Sequence, residues 1–401
     1  MSERPQLILA SGKEKAVGRR HPWIFSGAIK QKVGNPQEGD LVDVLSSDRR
    51  WLASGYYQEE SIAVKVLSFD THEVDPATHP LFLRSLLHAA VAYREALHFF
   101  DNEQSNAFRL INGEGDYLPG LIGDYYNGVL VLQAHSLWMH RQLPLVVTMM
   151  RELLGERLVS VFDKSSSTLP GNGKPGNEMK DGYLWGIEPD EWEIREEGIR
   201  MNINFYEGQK TGFFLDQREN RKLVGQMAQG RRVLNTFGYT GGFSLGALKG
   251  GASYVETVDI SKKAIALCNE NVALNFPDAP HKGVVADVLQ YLSAIDDRFD
   301  LIILDPPAFA KNHRSLQQGL KGYRSINQRA LEKIAKGGFL FTFSCSQAVS
   351  QDDFRTMVFT SAANAHRKVR VVRQLPHALD HPVSIYHPEG EYLKGLLLYV
   401  E

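Results

Sequence analysis

Apolar residues in the second half of the chain fall into short runs that alternate with stretches of helical spacing. Runs rich in Val, Ile, Leu and Phe predict buried parallel strands at 232–235, 254–259, 283–286, 299–304 and 338–344. Two more strands are predicted at 369–373 and 396–400. Because strands that alternate with helices are typical of a doubly wound α/β sheet, we expect such a domain over residues 196–401.

The first half of the chain has a different pattern. Short strands broken by Gly and Asp are predicted at 7–9, 41–45, 52–57 and 62–67. These strands indicate a small β-rich domain over residues 1–72.

A middle α+β domain is expected over residues 73–195. Pro76 and Pro80 punctuate a linker at its start. After the linker, the pattern predicts an amphipathic helix at 81–100, hairpin strands at 107–112 and 129–134, a helix at 137–154, and a surface loop rich in Gly and Pro at 170–177.

Length and composition narrow the class of protein. The 401 residues exceed what one hydrophobic core usually supports, so two or three domains are expected. A formal net charge of −2 argues against a polybasic tail. Two widely spaced cysteines indicate a reducing compartment and exclude a disulfide framework and a Cys-rich zinc site, so no metal centre is predicted. Without a signal-like start or a membrane-spanning apolar run, a cytoplasmic protein is expected.

A glycine-rich turn follows the first strand of the α/β domain and indicates a nucleoside cofactor. The turn contains Gly238, Gly241 and Gly242, where backbone can approach a ligand. Asp259 ends the next strand, where an acid commonly binds ribose hydroxyls, and Asp287 ends the third. A nicotinamide cofactor stays open, but the spacing is not Gly-x-Gly-x-x-Gly. S-adenosylmethionine fits this spacing better, because it has no diphosphate and so needs no diphosphate-binding loop.

Two further strand ends carry residues of a candidate pocket. The sequence Asp305-Pro306-Pro307-Ala308-Phe309 follows one strand, and Ser344-Cys345-Ser346 follows the next. Proline lacks an N–H, so the first turn presents carbonyl oxygens to which the exocyclic amine of a planar base can donate. A thiol on the neighbouring strand then reaches the face of that base. Cys268, in contrast, lies among apolar residues at helical spacing and is predicted to fill the core.

These segments together resemble bacterial 23S rRNA cytosine-5 methyltransferases that join an N-terminal PUA domain to a class I methyltransferase domain. The resemblance spans the whole chain and rests on HPWIFSG at 21–27, GQKTGFFLDQR at 208–218, the glycine-rich turn, and the two pocket segments. It implies a seven-stranded Rossmann-like sheet, S-adenosylmethionine as cofactor, and 23S rRNA or a large-subunit precursor as partner. It also implies a monomer or homodimer with no membrane association.

The predicted site residues fall into groups by role. Catalysis is assigned to Cys345, which would add to cytosine C6, and to Asp305, which would stabilise N3 of the adduct. The cofactor group, in part implied by the resemblance, is Phe214, Asp216, Gln217, Asn235, Phe237, Tyr239, Gly241, Asp259, Ile260, Asp287 and Asp305. The substrate group is Pro306, Pro307, Phe309, Lys311, Arg314, Tyr323 and Arg324.

Basic residues indicate where RNA would bind. In the N-terminal domain, Lys13, Arg19, Arg20 and Trp23 combine cations with an aromatic ring, as phosphate contact and base stacking require. Between the two pocket segments, one basic rim is predicted beside the pocket, made of Lys311, His313, Arg314, Lys321, Arg324, Arg329, Lys333 and Lys336. The target base must leave any stack to meet the thiol, so a loop or flipped nucleotide is expected.

Two other functions remain open from the sequence. An acid followed by two prolines and an aromatic also suits methyl transfer to an exocyclic amine of an rRNA purine without a covalent adduct. A non-catalytic assembly factor would use only the basic N-terminal domain. The carboxylates at 259, 287 and 305 favour an enzyme over the assembly factor.

Overall fold

The computed structural model describes residues 4–69, 80–169, 179–189, 192–296 and 299–401. The chain forms two compact units, and it passes between them more than once. The first unit is residues 1–191, 204–213 and 379–390, and the second is residues 192–203, 214–378 and 391–401. The three-part division expected from the sequence remains a prediction.

The first unit begins with a six-stranded sheet. Its strands are β1 (Gln6–Leu9), β2 (Trp23–Phe25), β3 (Ile29–Val33), β4 (Leu41–Leu45), β5 (Trp51–Tyr57) and β6 (Ile62–Ser68), with the short helix α1 (Glu14–Gly18) after β1. The strand order is β2-β6-β5-β4-β1-β3. Alternate apolar side chains of these strands, such as Val42 and Val44, form a core of their own.

A second sheet and two helices complete the first unit. The strands are β7 (Ala107–Asn112), β8 (Leu121–Tyr126), β9 (Val129–Ala134), β10 (Ser160–Asp163) and β11 (Gly182–Gly186), in the order β11-β10-β9-β8-β7. The helices α2 (Pro80–Ala96) and α3 (Leu137–Leu154) pack against this sheet. Ser136 caps α3 by accepting a hydrogen bond from the Met139 amide.

Most elements predicted in this half are confirmed, but one pairing is wrong. Strands 107–112 and 129–134 do not form a hairpin with each other, because β8 lies between them. The sequence pattern missed β8 since Gly123 and Asp124 interrupt its apolar run. It also missed β2 and β3, and β3 is an edge strand with one half-buried residue followed by four exposed ones. The predicted loop at 170–177 lies outside the described residues.

The second unit contains a seven-stranded sheet that positions the site. Its strands are β14 (Arg232–Thr236), β15 (Tyr254–Asp259), β16 (His281–Val285), β17 (Phe299–Leu304), β18 (Ile334–Ser344), β19 (Val369–Leu375) and β20 (Lys394–Val400). The order is β16-β15-β14-β17-β18-β20-β19. The first five are parallel, whereas β20 runs antiparallel to both β18 and β19. A hairpin of β12 (Glu193–Glu196) and β13 (Ile199–Asn202) precedes the sheet.

Helices follow the parallel strands, as the alternation of patterns predicted. They are α5 (Gly242–Lys249), α6 (Lys262–Asn275), α7 (Val288–Ala294), α8 (Leu316–Lys333) and α9 (Gln351–Asn364), whereas α4 (Arg218–Met227) precedes β14. Helices α7 to α9 cover a core that includes the fully buried Phe299, Ile302 and Leu340. Burial of the sheet by helices explains the continuous apolar runs of its strands. The expected doubly wound sheet of seven strands is therefore confirmed.

No helix within the described ranges combines the length and the apolar character that crossing a lipid bilayer requires.

Candidate active site at the carboxyl edge of the parallel sheet

The carboxyl ends of five parallel strands meet at one edge of the sheet. Strand β14 lies between β15 and β17, so the chain order reverses direction on either side of it. Open α/β sheets bind ligands at such a reversal, in the crevice outside the strand ends. The glycine-rich turn after β14 and the turn after β17 both open on this crevice, and β18 ends beside them.

The glycine-rich turn approaches neighbouring backbone and side chains closely. Gly241 precedes α5 with a φ of +87°, and a Cβ added there would lie 2.5 Å from the sulfur of Cys268. A Cβ added at Gly238 would lie 2.3 Å from Cγ2 of Thr257. Larger residues at these positions would displace the turn, so the cradle depends on glycine.

Asp259, at the end of β15, and Asp287, after β16, lie in different environments. Asp259 is half-buried, and its carboxylate accepts hydrogen bonds from the backbone amides of Tyr239, at 3.0 Å, and Ser261, at 2.8 Å. Each carboxylate oxygen keeps a further lone pair for a ligand hydroxyl. Asp287 is exposed and caps α7 through the Gln290 amide. Ile260 is 73% exposed beside Asp259, an unusual exposure for an aliphatic side chain.

Asn235 has a buried acceptor that suits a bound ligand. Its amide nitrogen donates to the Ser244 hydroxyl at 2.9 Å. Its Oδ1 is buried, and among the described residues no donor reaches it. Since a buried acceptor without a donor is costly, the residues of this turn fit a ligand that supplies an N–H.

Aromatic rings stand on both sides of the turn. Phe214 meets Tyr239 edge to face, with ring centroids 5.3 Å apart. Phe237 meets Phe309 of the proline turn at 6.3 Å. The glycine-rich turn and the proline turn are therefore joined by an aromatic contact.

Side chains of the segment at 214–220 hold Asp305 in place. The Gln217 amide donates to Oδ1 of Asp305 at 3.0 Å, and its own oxygen accepts from Asn220 at 2.7 Å. Asn220 is a residue that the sequence reasoning missed. Asp216 is buried and accepts from the Tyr392 hydroxyl at 2.6 Å. The sequence predicted that Gln217 and Asp216 contact the cofactor. In the structure, both side chains hydrogen-bond other residues of the protein.

Cys345 lies beyond the end of β18 and is partly exposed. Its thiol lies 3.8 Å from the Pro306 carbonyl oxygen, to which it donates weakly. Strands β17 and β18 are direct neighbours, with Leu304 opposite Thr342. The predicted meeting of the thiol with the proline turn is confirmed. Cys268 is fully buried, and burial raises the pKa of its thiol to about 11, so its prediction as a core residue is also confirmed.

Ser346 fastens the thiol-bearing turn to the proline turn. Its hydroxyl accepts from the Ala310 backbone amide at 3.1 Å and bonds the Tyr323 hydroxyl at 2.8 Å. The Phe309 amide also donates to the Tyr323 hydroxyl, at 3.3 Å. Tyr323 was predicted to contact substrate, but it is fully buried, so its place is behind the pocket.

A buried lysine accompanies Cys345. Lys394, the first residue of β20, is 2% exposed, and its Nζ donates to the carbonyl oxygens of Ser346 and Tyr392, each at 2.6 Å. Burial lowers the pKa of Lys394 to about 8, while negative charge at Cys345 acts in the opposite direction. Sequence reasoning found no cation for this thiol. The sequence does show a lysine at the start of an apolar strand. Its proximity to Cys345 follows only from the pairing of β20 with β18.

The basic residues between the two pocket segments do not form a single rim. Lys311 and Arg314 are exposed just after the proline turn, between β17 and α8. Lys336 lies near the start of β18, whereas Cys345 follows its end, and the extended residues 338–344 between them span roughly 20 Å. The prediction that all eight residues line the pocket is therefore wrong for Lys336. Arg324 is half-buried, and its carbonyl oxygen accepts from Ser361 of α9.

In the first unit, Lys13, Arg19 and Arg20 are exposed, as RNA contact would require. Trp23 is half-buried, and its indole N–H donates to Glu114 at 2.8 Å. The neighbouring Phe25 is more open, at 47% exposure. Phe25 therefore offers the more accessible ring of this surface.

Comparisons with known proteins agree with the fold and with the cofactor expected from the sequence. Residues 173–383 match the family model of S-adenosylmethionine-dependent methyltransferases, and residues 7–69 match that of PUA-like domains. Ribosomal RNA large subunit methyltransferase I of Escherichia coli (strain K12) is 38% identical over 397 residues, which cover 97% of this chain and 98% of the relative. The Shigella flexneri protein of the same name has the same identity and coverage.

A solved structure has the same fold along the whole chain. SMU.776, described as a methyltransferase and crystallised with SAH, superposes with a TM-score of 0.84 at 23% identity, covering 98% of this chain and 99% of its own.

The chain belongs to the family of S-adenosylmethionine-dependent methyltransferases that includes ribosomal RNA large subunit methyltransferase I. It is an enzyme of this class with a PUA-like N-terminal domain, and its cofactor is S-adenosylmethionine.

Proposed function

We propose that this enzyme methylates C5 of a cytidine in large-subunit (23S) rRNA, with Cys345 as the nucleophile at C6. The observation that carries the proposal is the partly exposed Cys345 thiol, 3.8 Å from the Pro306 carbonyl oxygen, in the turn that begins with Asp305. A thiol and an acid at adjoining strand ends are the two groups that cytosine activation needs.

Residues of the glycine-rich turn and the neighbouring acids would hold the cofactor. Asp259 would accept from ribose hydroxyls, Asp287 would accept from the adenine amine, and Ile260 would cover the adenine ring. Asn235 would use its buried Oδ1 to accept from an N–H of the ligand. Phe214 and Tyr239 would close the outer side. When bound, S-adenosylmethionine supplies an electrophilic methyl group.

The role of Cys345 follows from the electronic structure of cytosine. C5 is too weak a nucleophile to accept a methyl group unaided. Addition of the Cys345 thiolate to C6 forms a C–S bond and moves electron density to C5. C5 would then attack the methyl carbon while the bond between that carbon and the sulfonium sulfur breaks, which leaves SAH. A base removes the C5 proton, and the electron pair left at C5 expels the thiolate, which restores the aromatic ring and the free Cys345.

The proline turn would recognise and polarise the base. The Asp305 carboxylate would hold a water that donates a hydrogen bond to N3, which stabilises the negative charge that thiolate addition places on the ring. The Pro306 carbonyl oxygen accepts from the exocyclic amine with its second lone pair. Gln217 orients the carboxylate through its 3.0 Å hydrogen bond to Oδ1.

Large-subunit rRNA is proposed as the substrate for two reasons. The name of the E. coli relative states that substrate, and the relative matches 97% of this chain. The chain also carries a PUA-like domain with exposed basic residues at positions 13, 19 and 20. Lys311 and Arg314 would bind phosphates beside the flipped nucleotide.

The test is analysis of nucleosides from 23S rRNA after methylation by the purified enzyme. The proposal expects 5-methylcytidine at one position, mapped by bisulfite sequencing, and loss of that mark from a strain lacking the gene. Appearance of an N-methylated purine would contradict it and support methyl transfer to an exocyclic amine. Binding of rRNA without any methyl transfer would support the assembly-factor alternative.

A further inference from the structure

We propose that the Lys394 ammonium is the cation that maintains Cys345 as a thiolate, which makes Lys394 a positioning residue for the nucleophile. This inference rests on the proposed function, because a thiolate at Cys345 is what addition to C6 requires. Lys394 does not touch the substrate in this scheme. It acts through the sulfur.

Sheet register places Lys394 beside the nucleophile. In the antiparallel pairing of β18 with β20, Lys394 lies opposite Ser344, the residue before Cys345. Its Nζ donates to the carbonyl oxygen of Ser346, the residue after Cys345, at 2.6 Å. The backbone of Lys394 is thus paired with the residue before the thiol, and its ammonium group donates a short hydrogen bond to the residue after the thiol.

The lysine is buried without a carboxylate to balance it. Lys394 is 2% exposed, and within the described residues no Asp or Glu oxygen lies within 4.0 Å of its Nζ. Its two hydrogen-bond partners in that part of the chain are the carbonyls of Ser346 and Tyr392. An ammonium has three N–H donors, so one remains. Burying a charge is costly unless it is paired, and the Cys345 thiol, whose negative charge acts on Lys394, is a group able to carry the opposite charge.

Two titratable groups near the thiol, Tyr323 and Asp305, do not supply a positive charge. Tyr323, from α8, is fully buried, and burial together with negative charge at Cys345 raises the pKa of its phenol, so it remains neutral. The proline turn contributes Asp305, which accepts from Gln217 and carries the wrong sign. Tyr392, before β20, donates to Asp216. Among these groups, Lys394 is the one that carries a positive charge, and it interacts electrostatically with Cys345.

The test is the pH dependence of Cys345 alkylation by iodoacetamide, read by mass spectrometry of the Cys345 peptide so that Cys268 does not contribute. In the unaltered protein the thiol should titrate below the usual value of about 8.5. Lys394→Met should raise that midpoint by about one pH unit or more, which lowers the alkylation rate at neutral pH by up to about tenfold. Lys394→Arg should restore most of the rate because it keeps the charge.

Lys164→Met is the matched control. Lys164 is also a buried lysine, and its Nζ donates to the carbonyl oxygens of Phe205 and Gly208 in the first unit. Lys164→Met also removes hydrogen bonds from a buried ammonium group to backbone carbonyl oxygens. It should leave the midpoint of the Cys345 titration unchanged. Circular dichroism shows which variants are folded.

Two results would overturn the inference. One is a Cys345 midpoint at or above the usual value in the unaltered protein, which needs no variant and so stands even if Lys394→Met does not fold. The other is an unchanged midpoint in a folded Lys394→Met protein. Alkylation is measured without RNA or cofactor. The inference can therefore fail while methylation of cytidine C5 holds, and a failure of the proposed function would leave the thiolate measurement intact.

Discussion

The side-chain amide of Gln217 donates a 3.0 Å hydrogen bond to Oδ1 of Asp305, which fixes the direction of that carboxylate. Asn220 fixes the amide in turn by donating to its oxygen at 2.7 Å. Asp305 is therefore oriented by Gln217, which precedes α4, with support from Asn220 in the first turn of that helix. A carboxylate held in one direction suits a group that must interact with one atom of a planar base.

Gln217→Leu should lower kcat by about tenfold or more, because a misdirected carboxylate loses its alignment with the base. The KM for RNA should change less, since phosphate contacts provide most of the binding. Steady-state kinetics with 23S rRNA test this. Gln226→Leu, an exposed change on the same helix, is the control. Equal kcat values for the two variants would show that Asp305 needs no such support.

The contact of Ser346 with Tyr323 should be measurable as a coupling energy. Ser346→Ala and Tyr323→Phe should each lower the free energy of unfolding by about 1–3 kcal/mol, because each leaves buried polar groups unsatisfied. The double variant should lose less than the sum, by about 0.5 kcal/mol or more. Urea unfolding of all four proteins completes the cycle.

A second pair provides the reference for that cycle. Tyr254→Phe removes a hydroxyl that bonds Glu256 elsewhere in the sheet, so its effect should add to that of Ser346→Ala. Additivity in the Tyr323 cycle as well would mean that the two turns are not joined through these hydroxyls.

Gly241→Ala should weaken cofactor binding and destabilise the protein. Two causes combine, a φ of +87° and a Cβ that would lie 2.5 Å from the Cys268 sulfur. Gly230→Ala separates them, because Gly230 has a φ of +70° but no atom within 4 Å of the added Cβ. The control should lose about 1–2 kcal/mol of stability from backbone strain alone. Gly241→Ala should lose about 1–3 kcal/mol more from overpacking.

Thermal unfolding and calorimetric titration with SAH measure the two effects. We expect SAH affinity to fall for Gly241→Ala and to stay unchanged for Gly230→Ala. Equal affinity in both variants would mean that the turn after β14 does not shape the cofactor site.

Stability should fall on mild acidification because of His281. Burial lowers the pKa of this histidine from 6.5 to about 4, and its Nε2 lies 2.8 Å from the Thr257 hydroxyl. The folded protein holds the ring neutral while the unfolded chain takes up a proton below 6.5, so stability is lost as the pH falls from 6.5 toward 4.

Urea unfolding measured between pH 6.5 and pH 4 tests whether the free energy of unfolding falls as the pH falls. His281→Gln should show a shallower loss of stability than the unaltered protein, and the exposed His366→Gln should follow the unaltered protein. A slope that His281→Gln leaves unchanged would assign the acid sensitivity to other groups.

Sequence pattern predicted those elements whose apolar runs are continuous. The bounds of β15 and β17 agree residue for residue with the expectation, because most residues of these strands are buried. The bounds of α3 also agree, because its apolar residues recur at helical spacing. The edge strand β3 was missed since four of its five residues are exposed and charge or amide groups fill its centre. Strand β8 was missed because Gly and Asp interrupt it.

Local sequence pattern also predicted only part of the candidate site. The positions of Asp305 and Cys345 at neighbouring strand ends were predictable because each follows a strand in a short, distinctive segment. Lys394 and Ser346 were not, since their roles come from partners 48 and 36 residues away along the chain. Such contacts depend on the register of β18 with β20 and on the path of the turns, which a local pattern does not contain.

The most direct test of the central claim is trapping of a covalent complex with 23S rRNA that contains 5-fluorocytidine in place of cytidine. Fluorine at C5 cannot leave as a proton does, so the Cys345 adduct should persist once the methyl group is transferred. The unaltered enzyme and Cys268→Ala should both form an RNA–protein species that survives denaturing electrophoresis, and Cys345→Ala should form none and transfer no methyl groups to normal rRNA. Trapping by Cys345→Ala, or full methyl transfer by that variant, would contradict the account.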